Sequence, residues 1–282
     1  MNSYRLGIIG CGNMGEAILG GTLNSGFLKS DEIIFYDKDN YRKNYIKKKY
    51  KIYLSEGIAE VIKKSSYILL AVKPQDIKTV LDEIKSCFDF KTNSIISIVA
   101  GVPTDYIEKR INSNVSVIRV MPNAPALFEK GMAAISKGRF VRNRDLQFSE
   151  KLIKSIGDYV VIEEKYQNIA TALNGSGPAY FFLFCKYLIE SGIQNGLDPE
   201  ISKKLVTGTM IGAGIAMEKS RIDLSGLIKK IASPGGTTEK ALREFERNGL
   251  DKVVYSAVKV AMKRAYELQD FLDLGKCNEN LY

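Results

Sequence analysis

The 282-residue chain has no histidine and no tryptophan, only four cysteines and only seven prolines. Each shortage removes a class of function. Without histidine, imidazole acid–base catalysis and histidine-ligated zinc are excluded. Cys11, Cys87, Cys185 and Cys277 lack the paired spacing of a metal site and read as reduced thiols, as expected of an intracellular protein. No run approaches the roughly 20 apolar residues of a membrane span, and the first residues enter a strand-like apolar run instead of a signal peptide. The expected location is therefore cytoplasmic, with no membrane partner and no metal.

What remains is the composition of a folded protein, 45% hydrophobic and 26% charged, with length enough for one large domain or two ordinary ones. Basic residues outnumber acidic ones by 41 to 32, a net charge of +9. Lys47-Lys48-Lys49 and Lys63-Lys64 sit on helical stretches beside carboxylates, without the interleaved aromatics that stack bases. The surplus reads as a solvated surface, and nucleic acid is not an expected partner.

Short apolar runs alternate with helical stretches through the first half of the chain. Leu6-Gly7-Ile8-Ile9, Ile33-Ile34-Phe35-Tyr36, Tyr67–Val72, Ser94–Val99 and Val115–Val120 are strand candidates, apolar on both faces. Such strands predict a parallel sheet covered by helices on each side. Past Val161 the pattern changes to helix alone: Pro178–Gln194, Pro199–Lys219, Thr237–Asn248 and Asp251–Phe271. The predicted fold is α/β, with an N-terminal Rossmann dinucleotide-binding domain over residues 1–163 and an all-helical domain over 164–282. Ala179–Cys185 is apolar all round, which predicts burial from several sides. Gly208, Gly212 and Gly214 would let another helix approach closely. So much apolar surface in so small a unit predicts a homodimer packed through its helical domains.

Gly10-Cys11-Gly12-Asn13-Met14-Gly15 is G-x-G-x-x-G, directly after a strand and opening a helix. The glycines permit a tight turn, close approach of a pyrophosphate and helix-on-sheet packing, and the anion rests on free N–H groups at the helix start. Asp37 closes the second strand, where a carboxylate binds ribose hydroxyls and repels a 2′-phosphate, favouring NADH. Lys38, Arg42 and Lys43 follow at once and could pair with that phosphate, so the sequence leaves NADH and NADPH both open. Ala71-Val72-Lys73-Pro74 and Met121-Pro122-Asn123 end strands at the sheet edge where ligands of α/β proteins bind. They are candidates for contact with the nicotinamide half, although Pro74 and Pro122 could equally serve only to stop strands.

Ser233-Pro234-Gly235-Gly236-Thr237-Thr238 precedes an amphipathic helical pattern. Two glycines free the backbone to wrap a small anion, and the helix start offers unpaired donors. A plain N-cap by Thr237 or Thr238 is the other role the stretch allows.

Taken in order, GCGNMG, AVKPQ, RVMPNAP, NGSGPAYFF and SPGGTTEKAL resemble the pyrroline-5-carboxylate reductase family, and the likeness runs from about residue 5 to residue 270. The resemblance implies a Rossmann domain followed by a helical dimerisation domain, with dimers that assemble further into rings such as a decamer. It implies reduction of 1-pyrroline-5-carboxylate to L-proline by NADPH or NADH. The small-molecule substrate would be held by Ser233, Gly235, Gly236, Thr237 and Thr238, with Thr238 at the ring nitrogen as the catalytic hydroxyl. Thr237 varies between alanine and threonine in the family and is given no catalytic role. Asp37 is an unusual choice for an NADPH enzyme. The residues after Leu274 match nothing in the family and are expected to be a frayed tail.

Rivals fare worse. A β-hydroxyacid dehydrogenase resembles G-x-G-x-x-x-K at its catalytic helix, and here Phe181 stands at the lysine position after Gly175 and Gly177. A 2-hydroxyacid dehydrogenase needs the missing histidine. A reductase for a related cyclic imine, or a non-catalytic dinucleotide sensor, would retain the first motif, but a sensor leaves SPGGTT unexplained.

Overall fold

Among the described residues, seven strands of four to seven residues and one of two build a single sheet. They are β1 (Tyr4–Ile9), β2 (Ile33–Tyr36), β3 (Tyr53–Leu54), β4 (Ser65–Leu70), β5 (Ser94–Ser97), β6 (Ser116–Met121), β7 (Gly131–Lys137) and β8 (Gly157–Val161). The structure, a computed structural model, describes residues 3–111 and 114–273, with side chains described up to residue 269. Cys277 and the expected tail after Leu274 lie outside the described residues.

The strand order is β3-β2-β1-β4-β5-β6-β7-β8, whose first six strands follow the dinucleotide-binding order. One expectation is corrected: the sheet is not wholly parallel, because β7 runs antiparallel to β6 before β8 resumes parallel to β7. The sequence reading also missed three strands. β3 has only two residues, β7 carries paired alanines of low strand propensity, and β8 is an edge strand with Val160 and Val161 exposed.

Each central strand is buried on both faces, and successive residues join different cores. Ile8, Phe35, Leu69, Ile96 and Ile118 pack on one face; Ile9, Ile34, Ile68, Ile95 and Val117 pack on the other. Helix α1 (Asn13–Asn24) covers the first face with Ile18 and Leu19. Helix α2 (Asn40–Tyr50) follows β2 and is capped by Asp39, whose carboxylate accepts from the N–H groups of Tyr41 and Arg42. Helices α3 (Ile58–Lys64), α4 (Ile77–Lys85) and α5 (Thr104–Ile111) cover the second face. Helix α6 (Asn143–Lys154) returns to the first with Phe148, Leu152 and Ile153. At roughly 1.5–3 kcal/mol for each fully buried Leu, Ile or Phe, these two layers carry most of the stabilisation.

By compactness the chain divides after Ser176. One unit comprises Met1–Ser176 with Ala261–Tyr282, the other Gly177–Val260. The strands end before residue 163, but the next stretch is tied into the sheet unit. The Thr104 N–H donates to Glu164 Oε1 at 2.7 Å, and the buried Arg119 meets the same carboxylate at 3.4 Å. Helix α7 (Gln167–Ala170) continues there, and Gln167 bonds the carbonyl of Ala134 and the hydroxyl of Ser136.

The second unit is helical: α8 (Gly177–Gln194), α9 (Pro199–Lys219), α10 (Leu224–Ile231), α11 (Thr237–Arg247) and the first part of α12 (Leu250–Asp273). Asp198 caps α9 by accepting from Glu200 and Ile201 N–H groups. Ser202 reaches across to the Ile189 carbonyl at 2.9 Å, where Gly192 leaves α8 and α9 room to close. The expectation that Ala179–Cys185 is buried from several sides is corrected for the single chain. Phe181, Phe182, Leu183 and Tyr187 are all at least half exposed. Gly208, Gly212 and Gly214 likewise face open space. A helix that is apolar all round has here been given a neighbour on only part of its circumference.

Candidate active site

Two places answer to the sequence motifs, one in each unit. In the sheet unit, β1 delivers the chain into Gly10 at φ +84°, a conformation L side chains rarely adopt, and a side chain there would strike the Ala71 carbonyl. The Gly10 N–H donates to the Tyr36 carbonyl at 2.9 Å. Gly15, one turn into α1, lies so close to the Gly10 carbonyl that a Cβ would come within 2.8 Å of it. Gly12 is the N-cap, with open space around it and no side chain capping the helix. The first N–H groups of α1 are therefore free to receive an anion.

A cleft of about 420 Å³ opens beside this loop, and its lining includes Gly10, Gly12, Asp37, Ala71, Val72 and Lys73 from the predicted set. Parallel pairing of β1 with β2 and β4 brings all three strand ends to one edge. A glycine-lined loop, a bare helix start and a carboxylate at the neighbouring strand end fit a dinucleotide. Lys38, Asp39, Arg42, Asp76 and Glu83 add charged groups to the same wall. Of these, Lys38 and Arg42 are the residues the sequence offers as partners of a 2′-phosphate; Asp39, a capping aspartate just ahead of a helical stretch, is a readable signal the sequence analysis left without a role.

Cys11 turns its side chain inward, fully buried in the core, and burial pushes its thiol up to about 12 although the Arg42 guanidinium pulls the other way. Its backbone faces the site: the Cys11 N–H donates to Asp37 Oδ2 at 2.6 Å, and its carbonyl accepts from Arg42. Asn13, Met14 and Gly15 form the first turn of α1, and Pro74 begins a short 3-10 turn before α4. None of these four lines the cleft.

Met121, Pro122 and Asn123 end β6 at the same edge but outside this cleft. They are clasped by the NGSGP stretch. Residues Thr171–Gly175 form one turn of π-helix, and Asn174 within it donates to the carbonyls of Met121 and Met132, 3.0 Å each. Asn123 donates in turn to Asn174 and accepts from the Met132 N–H.

In the helical unit, Ser233–Thr238 is an exposed loop running into α11. Gly235 sits at φ +74°, and the Gly236 N–H closes a turn onto the Ser233 carbonyl at 2.9 Å. Gly236 is the N-cap without any side-chain cap, so neither Thr237 nor Thr238 has that duty. Both threonines stand on the first turn, where N–H groups lack intrahelical partners. The Gly235 N–H is committed to Glu239 Oε2 at 2.7 Å, and that bond, with Arg243 beside it, holds the Glu239 carboxyl below its ordinary value.

Comparison with known proteins agrees with both halves. Residues 164–268 match the family model "Pyrroline-5-carboxylate reductase dimerisation", and residues 5–101 match "NADP oxidoreductase coenzyme F420-dependent". Pyrroline-5-carboxylate reductase of Mycobacterium tuberculosis is 33% identical over 94% of this chain and 97% of its own. Among solved structures, the Plasmodium falciparum pyrroline carboxylate reductase with NADP bound is 31% identical, with a TM-score of 0.84 over 95% of this chain and 99% of its own. The Coxiella burnetii pyrroline-5-carboxylate reductase is 29% identical with a TM-score of 0.89 over the same shares. With a glycine loop and cleft suited to a dinucleotide, and relatives matched almost end to end, the chain belongs to the pyrroline-5-carboxylate reductase family.

Proposed function

We propose that this protein reduces 1-pyrroline-5-carboxylate to L-proline with NAD(P)H, as the last step of proline synthesis, and does so in the cytoplasm as a homodimer. The observation that carries the reading is the end-to-end match to named reductases, combined with a dinucleotide cleft and a bare, glycine-rich helix start in one chain. The cofactor supplies a hydride to the imine carbon. The chain's own residues bind, orient and manage the proton.

In this reading the free N–H groups of α1 and the Gly12 backbone hold the pyrophosphate, and Asp37 holds the adenosine ribose. Ala71–Pro74 and Met121–Asn123 are assigned to the nicotinamide half. Ser233, Gly236, Thr237 and Thr238 hold the substrate carboxylate and ring, helped by the α11 dipole. Gly235 acts through its backbone shape, since its N–H belongs to Glu239. The Thr238 hydroxyl hydrogen-bonds the ring nitrogen; threonine is too weak an acid to supply the proton, which arrives on the bound iminium or through water.

Dimerisation is supported by the family match over 164–268 and by the bare apolar faces of α8 and α9. Further assembly of dimers into a decamer is part of the same proposal. No helix among the described residues is long and apolar enough to cross a membrane.

The test is nicotinamide absorbance on mixing purified protein with pyrroline-5-carboxylate and either cofactor. Oxidation with formation of proline is expected; binding of cofactor without oxidation would overturn the reading in favour of a sensor. Thr238→Ala should lower kcat on the order of tenfold or more, the loss of one transition-state hydrogen bond. Full turnover in that variant would remove Thr238 from the mechanism.

A further inference from the structure

The cleft beside the glycine loop is acidic in a basic protein. Asp37, Asp39, Asp76 and Glu83 line it, against Lys38, Arg42 and Lys73. Asp37 is only 8% exposed, and its carboxylate is fastened from two sides. Oδ2 accepts the Cys11 N–H at 2.6 Å and Oδ1 accepts the Asp39 N–H at 2.9 Å. Each oxygen keeps a lone pair for a further donor, but the group cannot swing out of the way without breaking both bonds.

The cations that could have received a 2′-phosphate already have partners. Arg42 is locked on the inner side: its guanidinium donates to the Cys11 carbonyl and to Glu16 Oε2 at 2.6 Å. Lys38 places its ammonium 2.8 Å from both oxygens of Asp76. Lys43 lies over the Tyr36 ring, 4.8 Å from its centroid. Lys73 follows β4, which is separated from β2 by β1.

We infer that this site selects NADH over NADPH, with Asp37 as the specificity-determining residue and the Glu16–Arg42 pair withholding the nearest strong phosphate ligand. The inference rests on the proposed reading of the cleft as a dinucleotide site. Ribose hydroxyls donate to the open lone pairs of Asp37. A phosphate in the same place brings a second anion against a fixed carboxylate, and the nearest guanidinium, Arg42, is already paired with Glu16.

The experiment is a fluorescence titration of the full-length protein with NADH and with NADPH, in the absence of substrate, beside turnover assays with pyrroline-5-carboxylate. NADPH is expected to bind on the order of tenfold more weakly than NADH, or worse. Equal or tighter binding of NADPH overturns the inference, as does failure of both to bind. Asp37→Ser should narrow or reverse the ratio. Because that change also removes two backbone partners, Glu16→Gln is the second variant: it takes away the anion paired with Arg42 while leaving Asp37 in place, and should raise NADPH affinity relative to NADH. If both variants fold and neither moves the ratio, Asp37 and Arg42 do not set it. A clear NADH preference in binding with no oxidation of either cofactor would leave this inference standing and sink the reductase reading; turnover with NADPH preferred would do the reverse.

Discussion

Asn123 donates its side-chain amide to Asn174 across 3.0 Å, while Asn174 donates to the carbonyls of Met121 and Met132. Two motifs 51 residues apart are thereby joined: the strand-ending Met121-Pro122-Asn123 and the π-turn Thr171–Gly175. The half-buried Asn174 amide ties the ends of β6 and β7 to the π-turn through those two carbonyls.

Asn174→Ala removes the two bonds to the Met121 and Met132 carbonyls and the one accepted from Asn123, a loss of about 1–3 kcal/mol. The expected result is a lower midpoint in urea unfolding, together with a raised KM for the cofactor. Unchanged stability would mean that water replaces the amide.

Glu16 is the acid-sensitive point of the dinucleotide loop. Burial alone would raise its carboxyl, but hydrogen bonds from Lys49, Arg42, Tyr50 and Tyr45 outweigh that and hold it at about 2, against an ordinary 4.5. A carboxyl lowered in the folded state stabilises fully above the ordinary value and loses its contribution as pH falls from about 4.5 to about 2. Glu16→Gln should therefore destabilise the protein at pH 7, by about 1–3 kcal/mol, and the gap to the parent should close as pH falls through that window. A gap independent of pH would show that packing, not charge, is what Glu16 contributes.

Cys11 should be chemically silent in the folded protein. It is fully buried and its thiol is pushed up to about 12, so little thiolate exists near neutral pH. Thiol-directed reagents should modify the partly exposed Cys87 first, and Cys11 only at the rate of unfolding. Peptide mapping after brief labelling decides this. Rapid labelling of Cys11 would mean that the glycine loop opens readily.

The apolar face of α8 should be the association surface. Phe182 is 68% exposed in the single chain and lies among Phe181, Leu183 and Tyr187, an extent of bare aromatic surface that marks an interface. Phe182→Glu should shift the mass measured by light scattering from dimer or larger towards monomer. No change in mass would move the interface to another face of the helical unit.

Much of the fold was legible because it rests on local chemistry. Ile8-Ile9 and Ile68-Leu69-Leu70 are apolar at every position, which a strand covered on both faces requires. The glycine loop was legible for a similar reason: a positive φ at Gly10 and a close approach at Gly15 leave no other residue type comfortable there. β7 and β8 were not legible. Ala133-Ala134 has little strand preference, and Val160-Val161 sits on an open edge; pairing with β6 and with each other makes them strands. The α10 helix, eight residues capped by Asp223, was missed as well, although its capping aspartate stood in plain view.

The sequence by itself determined the class of fold, the position of the glycine loop and the candidates around it, because backbone freedom, strand burial and helix periodicity are properties of neighbouring residues. The tertiary structure decided what those candidates touch. That Asp37 is held by Cys11 and Asp39, that Arg42 is occupied by Glu16, and that Gly235 spends its N–H on Glu239 all depend on where folded elements bring side chains. A charge read along the chain has a sign and a position; only packing gives it a partner, and the partner decides whether it is available to a ligand.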